Sequence, residues 1–173
     1  MLSRLLRVFT QSPCGYLWAN TQAMCNSFKS ELMIGNHQLG ACTLTSRTSL
    51  TSPTKDTVKA ALYLATATVN KSTTAYSATN EVSGTGYTAG GVTVTNGTDP
   101  TLSTDTAVWT PSASIVYTTV TLTTAFDCVL LYNSSQSNKA ISVHTFGSQT
   151  VTAGTFTLTM PANDASNALI RIA

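Results

Sequence analysis

SIVYTTVTLTT (residues 114–124), followed after Ala125 and Phe126 by DCVLLY (residues 127–132), is the stretch that decides the fold. In its first part β-branched and aromatic residues alternate with threonine, the period-two rhythm of a strand with one buried face. Its second part is a nearly continuous apolar run, expected of a central strand. NSSQSN (133–138) then reads as a turn, and KAISVHTF (139–146) alternates again, with Ile141 and Val143 on one side and Ser142 and His144 on the other. TFTLTM (155–160) predicts another strand, with Phe156, Leu158 and Met160 inward, and NALIRIA (167–173) predicts a last one. Upstream, VKAALYLATA (58–67) puts Val58, Ala60, Leu62 and Leu64 on one face. GVTVT (91–95) and TDTAVWT (104–110) are shorter strands, and the phase of the second is ambiguous. Asn96-Gly97 reads as a turn dipeptide, because both residues tolerate positive φ. About eight short strands with regular turn signals predict an all-β fold, an antiparallel β-sandwich or jelly roll. No helix-period segment separates consecutive strands, which argues against βαβ units.

The front of the chain differs. Residues 26–39 predict a short helix with Asn26 or Ser27 as N-cap, Phe28 and Leu32 on one face, and Gly35 and Gly40 as stops. Such a helix is too short to stand alone and must lean on something else. Residues 41–53 are rich in Thr and Ser and read as a linker or an edge strand. Residues 1–23 carry Arg4 and Arg7 and no acid, and read as an unstructured leader or as text upstream of a true start at Met24. The expected organisation is therefore leader (1–23), helix and linker arm (24–53) and β-sandwich (54–173). Residues 70–91 are too long for a hairpin turn and predict an ordered loop.

The chain has 173 residues and a formal net charge of +2. Only 9% of residues are charged, where about a quarter is usual. Threonine dominates instead. No basic stripe with interleaved aromatics supports nucleic-acid binding, and no apolar run reaches membrane-span length. Cys14, Cys25, Cys42 and Cys128 lack CxxC spacing, so free buried thiols are expected rather than a zinc site or a disulfide framework. His37 and His144 are the only histidines, and the acids are scattered singly. His144 reads as a solvated strand residue and His37 as a helix cap or surface residue. Gly84-Thr85-Gly86, with Gly90-Gly91 beyond, leads into a strand rather than a helix. A backbone-turn role therefore outweighs a phosphate loop. No catalytic, cofactor-binding or metal-ligating residue is expected.

EVSGTGYTAGG (81–91) and PANDASNALIRIA (161–173), with KAALY (59–63), TTAY (73–76) and LLYNSS (130–135), resemble a family of small tailed-bacteriophage virion structural proteins. The resemblance covers most of residues 27–173 and is specific in those first two motifs. It departs at residues 1–23 and 40–53. It implies a virion component made in the host cytoplasm, most simply a capsid decoration or cement protein that binds the major capsid protein as a dimer or trimer. The expected contact residues are Phe28 and Leu32, buried on a neighbour by the arm, and Tyr76 and Tyr87, presented by the 70–91 loop. Two rival readings are a tail, head-fibre or receptor-binding component, with Tyr76 and Tyr87 stacking on a host glycan, and a small jelly-roll hydrolase or lyase built on the histidines and Asp164.

Overall fold

The long hairpin at residues 115–158 carries the architecture of the computed structural model, which describes residues 20–40 and 54–173. In chain order the elements are β1 (Ala23–Met24), α1 (Asn26–Met33), β2 (Val58–Leu64), β3 (Val92–Thr93), β4 (Thr101–Ser103), β5 (Thr106–Trp109), β6 (Ile115–Asn133), β7 (Lys139–Leu158) and β8 (Ile170–Ile172). Two antiparallel sheets result, one ordered β1-β7-β6-β2-β3 and the other β4-β5-β8. This is the expected all-β sandwich class with one short helix. Both edges of the larger sheet are two-residue strands, which offer little template for further pairing.

The four strands expected between residues 114 and 160 are two. The register between β6 and β7 shifts repeatedly, and Thr119 and Ala153 lie at φ 52° and 47°. These are β-bulges, which bend a strand without ending it. The buried set of β6 records the bend: Ile115 and Tyr117 are odd-numbered, whereas Val120, Leu122 and Phe126 are even. The parity changes across Thr118 and Thr119. The hairpin turns through residues 134–138, where Ser137 and Asn138 take positive φ.

Strands β2 and β6 are buried on both faces at their crossing, where Ala60, Ala61, Leu62, Leu130 and Leu131 are fully covered. Val58, Phe126 and Ile141 join the same core, and Trp109 and Ile170 bring the smaller sheet into it. In β5 both Val108 and Trp109 are buried, which accounts for the ambiguous phase of that segment.

Helix α1 is shorter than expected. It starts after Cys25, with no side-chain cap, and ends at Met33. Gly35 at φ 77° closes it: Gly35 N–H donates to Leu32 O at 3.1 Å and Asn36 N–H to Glu31 O at 2.9 Å. That is the Schellman arrangement, which favours glycine.

Two further expectations are corrected. Asn96-Gly97 makes no positive-φ turn; instead Asn96 Oδ1 accepts from Trp109 Nε1 at 3.1 Å and its Nδ2 donates to Leu39 O at 2.8 Å. The side chain ties three segments, and that use outweighs its turn propensity. The expected boundary at residue 23 also moves. Asn20 is buried, donates to Asp127 Oδ1 at 2.6 Å and Leu64 O at 3.2 Å, and accepts from Val69 N–H at 2.8 Å. Residues 20–23 are thus part of the fold, because β1 pairs with β7. Residues 1–19 and the 41–53 linker lie outside the described residues.

Candidate interaction surface

The 70–91 loop is organised from within by one acid. Glu81 is 9% exposed and accepts from Tyr76 Oη at 2.6 Å, Tyr87 Oη at 2.7 Å and Gly90 N–H at 2.7 Å. Tyr87 Oη in turn accepts from Leu62 N–H at 3.0 Å. The Tyr76 ring stacks on Tyr132 at 4.8 Å and the Tyr87 ring on Tyr117 at 5.9 Å. Burial first, then the neighbouring carboxylate, pushes both phenols above the usual tyrosine range. Tyr76 and Tyr87 are therefore partly buried framework residues, not free aromatic platforms. The glycines serve the same end. At Gly86 and Gly91, both at positive φ, a Cβ would run into the carbonyls of Thr119 and Ala60. Sequence reasoning found the glycine role but missed Glu81. Its signal was a lone acid in a polar loop flanked by two tyrosines.

A second buried cluster joins α1 to the sheet. Glu31 Oε2 meets His37 Nε2 at 2.8 Å, and Lys139 Nζ donates to Glu31 Oε1 at 2.5 Å. Asn133 Nδ2 donates to His37 Nδ1 at 3.1 Å and to Asp56 Oδ2 at 2.6 Å. Asn133 Oδ1 accepts from Ser135 N–H, so the amide orientation is fixed and His37 Nδ1 is an acceptor. His37 is buried, not the expected cap or surface residue, because both ring nitrogens find partners inside the fold. Although burial alone would raise the Glu31 carboxyl, hydrogen bonds from Lys139 and His37 and the Lys139 charge hold it below the usual range.

His144 is also not freely solvated. It is partly buried, bonds Ser142 Oγ at 2.9 Å, and burial pushes its pKa down to about 4. Asp164 caps the turn that follows it, accepting from the backbone N–H groups of Ser166 and Asn167 at 2.8 Å. Cys25 and Cys128 are free and buried, and burial pushes the Cys25 thiol up to about 11. Cys14 and Cys42 lie outside the described residues. Among the described residues no three His, Cys, Asp or Glu side chains gather as a metal set, and no helix is long and apolar enough to cross a membrane.

Of the expected contact residues, Phe28 is fully buried in the chain's own core, edge-on to the His37 ring at 4.8 Å. It is not left to a neighbour, because β7 and the Glu31 cluster already cover that face of α1. Leu32 is partly exposed and faces an open cavity of about 360 Å³ between α1 and the smaller sheet. Phe28, Leu39, Trp109 and Ile170 line its depth, and Gln38 brings the side-chain amide. Leu102, Ala107 and Ile172 sit side by side across β4, β5 and β8 and extend the apolar face outward. Met33, which lines an adjoining groove with Leu32 and Ile172, is 89% exposed, Leu102 74% and Ile172 45%, and Ile34, next to Met33 at the helix end, is 73% exposed. These are the large exposed hydrophobics of the described residues apart from Val116 on β6. Large apolar groups grouped at one place in a charge-poor chain mark an interaction surface. The chain matches no protein-family model, no curated protein and no solved structure.

Proposed function

We propose that this chain is a structural protein of a tailed-phage virion, a decoration or cement protein that binds the outer capsid shell. The observation that carries a binding role is the apolar shelf formed by Leu32, Met33, Leu102 and Ile172 beside the cavity. The phage setting comes from the resemblance carried by residues 81–91 and 161–173. Two further features support a non-enzymatic part. Glu81, Glu31, His37 and Asp56 all have partners inside the fold, which suits positions that hold loops and a helix in place. The glycan-stacking rival has less support, because the Tyr76 and Tyr87 rings each have one face stacked on another tyrosine, Tyr132 and Tyr117. Many identical copies on a shell would add weak contacts through multivalency.

Mass spectrometry and antibody labelling of purified particles test the proposal. The expected result is many copies on the shell exterior, and particles lacking the protein that rupture at lower temperature. Finding it only on the tail, or not in particles, would refute it.

A further inference from the structure

We infer that the shelf beside α1 receives a partner segment that combines a large apolar anchor with acidic flanks. This rests on the reading of the chain as a binding module, not on its position in a particle. Three observations converge. The cavity is apolar in depth, formed by Phe28, Leu39, Trp109 and Ile170, and its volume of about 360 Å³ accommodates a large side chain. Once an anchor fills such a pocket and excludes water, it becomes the kind of place where interfaces concentrate their affinity. Next, Gln38 lines this cavity, and its Nε2 is buried with no acceptor among the described residues. A buried amide donor without a partner is costly, and a carbonyl carried in beside the anchor would answer it.

Charge decides the partner. A second groove shares Leu32 and Ile172 with the cavity, and the charged side chains lining it are Lys29 and Arg171. Among the described residues no acidic side chain lines either groove, although Arg171 also donates to Ala165 O and Ser166 O and lies near Asp164. A second copy docked through this face would set cation against cation, whereas an acidic segment would complement them. The occupant is therefore a different chain with carboxylates next to its anchor.

The test uses the full chain as bait for a displayed library of random short peptides. An enriched peptide and its twin, with every Asp and Glu changed to Lys, are then titrated by calorimetry. Enriched sequences should pair Leu, Phe or Trp with Asp or Glu, and the acidic peptide should bind at least about tenfold tighter than its twin. Gln38→Leu should weaken binding about tenfold. Ile172→Asp should abolish it, and Met33→Asp serves as the second variant should Ile172→Asp fail to fold, since Met33 is 89% exposed. Enrichment without acids, equal binding of the twin, indifference to both Asp variants, or self-association of the chain through this patch would each overturn the inference. None of these results depends on particles, so a failed virion localisation leaves it standing.

Discussion

Glu81 shows how one residue can organise a loop of more than twenty. Its two oxygens take three donors from Tyr76, Tyr87 and Gly90. Removing its charge leaves those donors facing an amide that can accept with only one oxygen. Glu81→Gln should therefore cost about 2–4 kcal/mol in urea unfolding, and Tyr87→Phe, which deletes one donor, about 1–2 kcal/mol. Equal small losses for the two would show that the network is not shared. Asn20 makes the same point at the other end of the chain. Asn20→Ala should cost about 1–3 kcal/mol, because Val69 N–H, Leu64 O and Asp127 lose a common partner. Neither role was legible in the sequence. A buried acid and a buried amide are defined by long-range partners, and no local pattern announces them.

At the scale of elements, strand type was legible and strand length was not. The alternation in residues 114–124 and 155–160 identified β structure, and the apolar run at 127–132 identified the central strand. The intervening small residues read as breaks because bulges and turns draw on the same residue types. Bulges also reverse a familiar rule. Glycine inside a strand ordinarily costs about 0.5–1 kcal/mol, and Thr118→Gly should follow that rule. Thr119→Gly should be neutral or stabilising, because Thr119 already sits at φ 52°. Thermal melts of the two variants check the contrast, and equal destabilisation would argue against the bulge. Helix α1 was found, but its far end was overestimated. Gly35 at positive φ closes it, while residues 37–39 go on to line the cavity and supply His37 to its cluster.

For the whole molecule, the ionisable groups predict a specific acid response. His144 has a folded pKa of about 4 against an ordinary 6.5, since burial disfavours its charged form. Its stabilising contribution is full above pH 6.5 and is lost as pH falls from 6.5 to 4. The ring is only partly covered, so the loss is about 2 kcal/mol. Glu31 has a lowered folded pKa, so its contribution is full above the ordinary glutamate range and disappears as pH falls through the depressed value. Stability should therefore decline in two stages, first between pH 6.5 and 4 and then below. His144→Gln should flatten the first stage and leave the second. A single-stage acid transition, unchanged by His144→Gln, would contradict this. The fold class was legible because it follows from local rhythm summed along the chain. The shelf was not, since Leu102 and Ile172 meet only through strand pairing.

The single hairpin that joins β6 and β7 also bears on how quickly the chain finds its structure. Most strand pairings here bring together distant parts of the sequence, and each must first overcome the entropy of closing a long loop. The hairpin escapes that cost, because it can zip outward from residues 134–138. Substitutions beside the turn, such as Ala140→Gly, should therefore slow refolding. Substitutions at Asn20, whose partners assemble across the molecule, should instead accelerate unfolding. Stopped-flow chevrons of the two variants would separate the early nucleus from the late clasp.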